Sequence, residues 1–162
     1  MSNTLVLSTL PQVPRSGGQY AILARLDGLG AWRFLTMPTE INFERSSVYS
    51  ASGAAGAIPS QQWSRTEGWS MSIQGLPLSG LQQQRSLTAY IKALSALQDP
   101  DPGMYAPPVL AFRWGQRIHS PCTLTRFSSR ESFWFPNGEV AQASVSFTLI
   151  EVPQSQVVTI NK

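Results

Sequence analysis

A histidine and a cysteine lie close together in the second half of the sequence. His119 is the single histidine of the chain and Cys122 is its single cysteine, so no disulfide can form within the chain. A catalytic thiol needs a base and a third group that orients the base, and a metal site needs three or four ligands. Because no second His-x-x-Cys pair is present, we predict no metal site here and interpret Cys122 as a small buried residue.

The acidic residues are too dispersed to indicate an active site. Glu40 and Glu44 share one side of a predicted strand, which leaves open a hydrolase that acts through this pair. Asp99 and Asp101 belong to an Asp-Pro-Asp-Pro-Gly run that is typical of a turn after a helix. The glycines of 28–30 lack the third glycine of a phosphate-binding loop. We therefore predict a protein that is not an enzyme, with no catalytic residue and no cofactor.

The tryptophans suggest an alternative function, a carbohydrate-binding or cell-wall-binding β-sandwich. Trp69, Trp114 and Trp134 lie in alternating patterns that favour packing in a core. Trp63 lies in or beside a long stretch of small residues, 47–62, which we interpret as a loop that is either a free surface loop or ordered against a neighbouring subunit. Trp63 is thus the best candidate for an exposed aromatic side chain that meets a partner.

Charged residues are scarce in this chain. They make up 13% of the sequence, about half the usual share of a soluble domain. Either the surface is rich in Ser, Thr and Gln, or neighbouring subunits cover much of it. The net charge is +3, and the arginines are scattered from Arg15 to Arg130 without the clustered stripe of a nucleic-acid-binding protein. We interpret the arginine excess, including Arg65, as interface chemistry, because the guanidinium group suits ion pairs between subunits.

The elements that must position these residues are mostly strands. One helix is predicted at about 86–98, where Ser86 can cap the first turn and apolar residues recur at helical spacing. We predict three parts: an N-terminal arm at 1–18, a β domain at 19–152 and a short C-terminal tail at 153–162, with a last short strand at 157–160. The strands of the β domain are predicted at 19–25, 32–35, 41–46, 68–76, 109–114, 120–128, 131–135 and 141–152.

The clearest strand is the one at 141–152. Small or apolar residues alternate with uncharged polar ones, which predicts one face in the core. Because the polar face carries no charge, we expect it to line a lumen or to meet a neighbouring subunit rather than to serve solubility. Its residues are Gln142, Ser144, Ser146 and Thr148. The sequence shows neither a signal peptide nor a stretch of membrane-spanning length, which predicts a protein made and kept in a cytoplasm or in a particle assembled there.

Three stretches of the sequence carry distinctive motifs. The first is Trp32-Arg33-Phe34-Leu35-Thr36-Met37-Pro38-Thr39-Glu40-Ile41, which is followed by Tyr49, a small-residue segment and an Ile-Pro. The second is Pro107-Pro108-Val109-Leu110-Ala111-Phe112-Arg113-Trp114-Gly115, and the third runs from Phe135-Pro136-Asn137-Gly138 to Glu151. In their order and spacing, these stretches resemble the tube-like baseplate and hub-adaptor proteins of contractile injection systems and contractile-tailed phages. Gln142 stands where that family commonly has Arg and Val140 where it commonly has Pro, and the family's frequent LysM-type module has no counterpart after this region.

The resemblance implies a fold, an assembly and a location. The fold would be tail-tube-like, mainly β, an antiparallel β-sandwich or rolled barrel with one packed α-helix. Copies would form a ring, a hexamer, that connects the central hub or spike to the tail tube, in contact with wedge or sheath proteins. DNA would pass through the lumen without sequence-specific binding, no part would insert into a membrane, and the protein would be located in the virion. The interface residues that we predict are Tyr49, Trp63, Arg65, Gln142, Ser144 and Ser146.

Overall fold

The chain folds into antiparallel β-structure with one α-helix. A computed structural model describes residues 20–34, 36, 38–53, 56, 58 and 60–153. Within this part of the chain the mainly β class and the single α-helix are as predicted. The elements are β1 (Ala21–Arg25), β2 (Ala31–Phe34), β3 (Ile41–Glu44), β4 (Ser47–Ser52), β5 (Ser60–Thr66), β6 (Ser70–Ser79), α1 (Thr88–Ser95), β7 (Leu110–Trp114), β8 (Arg117–Trp134) and β9 (Val140–Glu151).

Seven strands form one sheet in the order β2-β1-β7-β8-β9-β6-β3, and each neighbouring pair is antiparallel. The two outermost strands, β2 and β3, follow one another in the chain. Strands β4 and β5 form a separate two-stranded sheet.

The seven-stranded sheet is rolled. Phe34 on β2 stacks on Phe147 on β9 with ring centroids 5.6 Å apart, although the two strands are four places apart in the sheet. Neighbouring strands lie about 4.8 Å apart, so a flat sheet would separate these rings by about 19 Å. Phe43 on β3 likewise lies 5.4 Å from the ring of His119 on β8. Of the two expected arrangements, the strand order and these contacts correspond to the rolled one.

The core fills the inside of this roll. Strand β9 supplies its middle, because Ala141, Ala143, Val145, Phe147 and Leu149 are buried while the polar residues between them are only half-buried. The alternation predicted for this strand is therefore confirmed. The other large and fully buried side chains come from β1, β2, β6, α1 and β7: Leu23, Phe34, Met71, Ile73, Leu76, Leu94, Leu110 and Phe112.

Helix α1 packs inside one end of the roll. The backbone N–H of Thr88 donates to Ser86 Oγ at 3.2 Å, so Ser86 satisfies a donor of the first turn as predicted. Ile91 and Leu94 are buried, and Leu97 is buried in the 3-10 turn Ala96–Gln98 that prolongs the helix. The helix is thus held in place by its apolar stripe, and it occupies the predicted segment.

Two predictions about individual elements were wrong. The segment 47–62 is not a loop throughout, since all of β4 and the beginning of β5 lie in it and pair with each other. The two strands predicted at 120–128 and 131–135 are one strand, β8, which keeps its pairing with β9 through three irregularities. In both cases polar residues that favour no strand by themselves are held by the ladder of the partner strand. The predicted arm at 1–18 and the strand at 157–160 lie outside the described residues.

The turns that join strands follow the sequence signals. Phe135 to Gly138 forms the turn between β8 and β9, with the Gly138 N–H donating to the Phe135 carbonyl at 2.9 Å. Gly138 has φ +84°, a conformation that glycine adopts without strain. No helix among the described residues combines the length and the apolar character needed to cross a membrane.

Candidate interaction surfaces

The histidine and the cysteine do not form a reactive pair. Cys122 is buried, and its Sγ donates to the backbone carbonyls of Leu110 at 3.3 Å and of His119 at 3.7 Å, not to the imidazole ring. Burial raises the pKa of Cys122 to about 12, so the thiol stays protonated at neutral pH. Cys122 therefore behaves as the small buried residue that the sequence predicts.

The imidazole of His119 lies among aromatic rings. Its centroid is 5.4 Å from Phe43, 5.4 Å from Trp69 and 6.5 Å from Phe112. Burial, and to a lesser extent the positive charge of Arg117, lowers the pKa of His119. The ring is thus held in its neutral form more strongly than a free imidazole would be.

The carboxylates serve the structure or face solvent. Asp101 is ion-paired with Arg25 at 2.7 Å, and Arg25 also pairs with Asp27, which ties the β1–β2 turn to the loop after the helix. The hydrogen bond from Arg25, followed by that from the backbone N–H of Gly103, lowers the pKa of Asp101. Glu40 and Glu44 are both exposed. Within the described ranges, no group of three or more His, Cys, Asp or Glu side chains is placed to hold a metal ion.

Three of the predicted interface residues lie together on the hairpin formed by β4 and β5. Tyr49 and Trp63 are directly opposite each other across the two strands, and Arg65 is opposite Val48 in the next paired position. The rings of Tyr49 and Trp63 are 57% and 61% exposed. Arg65 makes an ion pair with Glu67 at 3.5 Å in which both side chains are exposed. The hairpin therefore presents two adjacent aromatic rings and an arginine to the surroundings.

The hairpin continues the ladder of β3 and β6 outward. The backbone N–H of Glu67 donates to the carbonyl of Ser46 at 2.9 Å, so the pairing persists between the two ladders. All residues of β5 are exposed, and Val48 is the only residue of β4 that is even half-buried. A two-stranded hairpin is marginally stable by itself in water. These strands consequently present both of their faces to whatever surrounds the molecule.

The other three predicted interface residues lie on the outside of the roll. Gln142, Ser144 and Ser146 are half-buried on the polar face of β9. Ser146 Oγ accepts a hydrogen bond from the backbone N–H of Gly75 at 2.9 Å, where β6 has an irregularity and Gly75 has φ +60°. The structure therefore separates the six predicted residues into two groups, on different sheets.

The polar face of β9 has arginines along one side. Arg130 is paired with Ser144, and Arg126 is paired with Thr148 on the neighbouring strand. On the other side, the hydroxyl oxygens of Ser72 and Thr148 are 3.1 Å apart. The face is a band of hydroxyl groups with guanidinium groups beside it.

The exposed surface at the far end of β8 was not predicted from the sequence. Strand β7 pairs with β8 only as far as Cys122, so within the described residues the rest of β8 has a partner strand on one side alone. Phe133 and Trp134, near the turn to β9, are 52% and 50% exposed. Trp134 is therefore not the core residue that its alternating pattern predicts, whereas Trp69 is buried as predicted. The Pro136-Asn137-Gly138 turn was the available signal, because residues at a hairpin end extend beyond neighbouring strands.

Sequence reasoning also missed a small cavity at the mouth of the roll. Its volume is about 60 Å³, and it lies between the edge strand β3 and the hairpin of β7 and β8. Four apolar and two basic residues line it: Ile41, Phe43, Phe112, Trp114, Arg117 and His119. The sequence signal was the symmetric pattern Phe-x-Trp and Arg-x-His on either side of Gly115, which places four side chains on one face of a hairpin.

Comparison with known proteins adds no relative, since the chain matches neither a model of a known protein family nor a curated protein.

Proposed function

We propose that this chain is a structural subunit of a contractile phage tail, where copies form a ring that connects the central hub or spike to the tail tube. The order of the three sequence motifs supports this proposal, as does the rolled antiparallel sheet with one helix between the first and second motifs. The low content of charged residues is that of a chain whose surface is covered in an assembly. In this proposal the subunit acts through its shape and its contacts with other subunits, and it needs no catalytic group or cofactor.

The hairpin of β4 and β5 is the observation that carries this proposal. Its two strands are almost entirely exposed, and its largest side chains, Tyr49 and Trp63, are more than half exposed. Aromatic residues with this exposure are the usual anchors of protein interfaces, because their burial removes much apolar surface from water. The roll of the same chain does not cover the hairpin, and a neighbouring subunit would cover it instead.

The unpaired side of β8 supports the same proposal. Free strand edges tend to pair with other chains unless they are protected. Residues 123–134 of β8 include only Arg126, Arg130 and Glu131 as charged residues. The side chain of Gln98 donates to the carbonyl of Thr125 at 3.0 Å and so occupies one position of this edge. The remaining positions would be available to a strand of the next subunit.

In the proposed ring, the polar face of β9 lines the lumen. Hydroxyl groups with arginines beside them present no apolar surface to passing DNA, and such contacts would involve phosphates without reading sequence. One repeated head-to-tail contact can generate a closed cyclic ring, and the family resemblance implies that this ring is a hexamer. Its neighbours would be the hub or spike, the tube, and wedge or sheath proteins of the virion, assembled in the host cytoplasm.

Mass measurement of the purified protein tests the proposal. The wild-type chain, alone or mixed with neighbouring tail components, should give particles at a multiple of its 17.7 kDa. The double variant Tyr49→Ser and Trp63→Ser should no longer form the ring, so its particles should be clearly smaller than those of the wild type, and it should stay folded because the substituted side chains face outward. The matched control is Tyr105→Asn, which removes an exposed aromatic ring elsewhere and should leave assembly unchanged. A wild-type protein that stays monomeric and joins no particle would overturn the proposal.

A second candidate function is supported by the pair of aromatic rings on the hairpin. Tyr49 and Trp63 lie side by side in the register and could form a stacking platform for sugar rings in a carbohydrate-binding or cell-wall-binding module. A glycan array distinguishes this candidate. Binding that is lost in Trp63→Ala and kept in Tyr105→Asn would support it, and the absence of binding, or binding that survives Trp63→Ala, would exclude it.

A further inference from the structure

The cavity at the mouth of the roll has a distinctive chemistry. Phe112 forms its buried floor, and Phe43, half exposed, forms its rim. The charged group in its lining is the guanidinium of Arg117, which only donates hydrogen bonds, and beside it lies the neutral imidazole of His119, which can donate one hydrogen bond from its ring N–H. No acidic residue lines it. A ligand that matches this cavity would therefore combine an apolar surface with a carboxylate.

The positive charge of Arg117 in this cavity is not neutralised by an acidic residue of the described chain. The ion pairs found within the described residues involve Arg25 and Arg65, so Arg117 has no anionic partner there. The cavity volume of about 60 Å³ would hold about four to six water molecules at roughly 10–15 Å³ each. This is room for the edge of one aromatic ring rather than for a large cofactor.

The opposite end of β8 has the complementary chemistry. Phe133 and Trp134 are half exposed there, and Glu131 and Glu139 lie beside them on the hairpin. Glu131 accepts a hydrogen bond from Trp134 Nε1 at 3.1 Å, which places a carboxylate at the edge of an exposed ring. Neither glutamate is ion-paired within the part of the chain that the structure describes. We call Glu131, Phe133, Trp134 and Glu139 the acidic aromatic tip.

Apart from Phe43, which belongs to the rim of the cavity itself and is followed by the exposed Glu44, the exposed aromatic residues of the described chain do not combine these properties. The carboxylates near Leu29 and Tyr105 are both ion-paired with Arg25. The carboxylate near Trp63 is paired with Arg65. The acidic aromatic tip is therefore the surface whose charge and shape fit the cavity.

We infer that the cavity of one copy of this chain receives the acidic aromatic tip of a second copy. The two sites cannot meet within one chain, because they lie at opposite ends of the 18-residue strand β8, roughly 50 Å apart at about 3.3 Å per residue. The contact is thus head-to-tail and joins different surfaces of the two copies. A repeated head-to-tail contact either closes into a ring or continues as an open stack, and because the two sites lie at opposite ends of β8 we infer a stack along this strand.

This inference rests on the proposed function and deepens it, since it assigns a contact between copies other than that of the hairpin. The hairpin of β4 and β5 would join copies around a ring, and the acidic aromatic tip would join copies along the tail axis. The ring contact depends on Tyr49 and Trp63, whereas the axial contact depends on residues at the two ends of β8. The two contacts can therefore be removed one at a time.

A charge-swap experiment tests the axial contact. The variant Arg117→Glu carries negative charge at both the cavity and the tip, and the double variant Glu131→Arg and Glu139→Arg carries positive charge at both. Each protein alone should associate at least ten-fold more weakly than the wild type in sedimentation velocity over a range of concentrations, because like charges meet at the contact. A one-to-one mixture should regain wild-type association, since each cavity then meets a tip of opposite charge. Recovery in the mixture also shows that both variants are folded.

Apolar substitutions complete the test. Phe133→Thr with Trp134→Thr keeps residues that favour a strand but removes the rings, and it should weaken axial association roughly ten-fold or more. Ile150→Thr removes an exposed apolar side chain away from the tip and serves as the matched control.

The inference is overturned if the mixture of charge variants associates no better than its components, or if the tip variant associates like the wild type. Its failure is distinguishable from that of the proposed function. If rings form normally and the substitutions leave axial association unchanged, the axial contact alone is rejected. If the wild-type chain forms no particle, both proposals are rejected.

Discussion

At the scale of single residues, His119 shows how neighbouring side chains set the charge of an imidazole ring. Its ring is packed among Phe43, Trp69 and Phe112, and the nearest charge that acts on it is that of Arg117. Protonation would place a second positive charge in a largely apolar site. The neutral ring is therefore the form that the folded chain favours.

The stability of the fold should depend on pH through this residue. A base whose pKa is lower in the folded chain than in the unfolded chain takes up a proton on unfolding, so its contribution is complete above its ordinary pKa of 6.5 and is lost as the pH falls through the lowered pKa of the folded state. In urea unfolding of dilute protein, the wild-type midpoint should be lower at about pH 5.5 than at about pH 7.5. Because His119 is the only histidine, His119→Gln should show almost no difference between these two conditions. A difference that persists in His119→Gln would assign the pH dependence to other groups.

At the scale of elements, helix α1 holds the edge strand β2 against the rest of the roll. Tyr90 donates from its hydroxyl group to the carbonyl of Arg33 at 3.0 Å, and its ring meets the edge of Phe34 at 6.5 Å. At its N-terminal end, the helix is joined to β9, because the Leu87 N–H donates to the Val140 carbonyl at 2.8 Å. One helix therefore connects two strands that lie four places apart in the sheet.

Two substitutions separate packing from hydrogen bonding in this connection. Phe34→Ala should lower the free energy of unfolding by about 3–5 kcal/mol, because a fully buried ring that stacks on Phe147 is removed and leaves a cavity. Tyr90→Phe keeps the ring and loses one hydrogen bond, so the expected loss is only about 0.5–1.5 kcal/mol. Urea denaturation at neutral pH measures both values. Equal losses for the two variants would contradict the view that ring stacking across the roll dominates.

The long strands also explain why two predictions about elements failed. Strand β8 contains Ser128, Ser129 and Arg130, which interrupt its apolar pattern, and sequence reasoning divided it there. The register with β9 continues through all three residues. Backbone hydrogen bonds to a neighbouring strand do not require apolar side chains. A strand can therefore extend through residues whose side chains show no strand pattern. The same reason applies to β4 and β5.

At the scale of the whole molecule, the described chain has a buried apolar core from which several exposed segments extend. The roll buries one continuous apolar cluster to which β1, β2, β6, β7, β8, β9 and the helical segment all contribute. The hairpin of β4 and β5, the free side of β8 and the acidic aromatic tip all extend from this body with exposed aromatic or unpaired groups. An isolated chain gains little from such extremities, whereas a chain that assembles with copies of itself would use each of them.

The sequence by itself determined the fold class, the helix and the inward face of β9. These follow from local geometry, because successive side chains of a strand point to opposite faces and the apolar stripe of a helix recurs at helical spacing. The turn at Pro136-Asn137-Gly138 and the burial of Cys122 were predictable for the same local reasons.

Only the tertiary structure decided which residues meet. Phe34 stacks on Phe147 and Phe43 lies against His119 because the sheet curls, and the amount of curl depends on all its strands together. Tyr49 faces Trp63 because a register was chosen between two polar strands that carry almost no apolar pattern to specify it. The cavity beside Arg117 is likewise made by β3 and the hairpin of β7 and β8, which are distant in the chain and adjacent only in the roll.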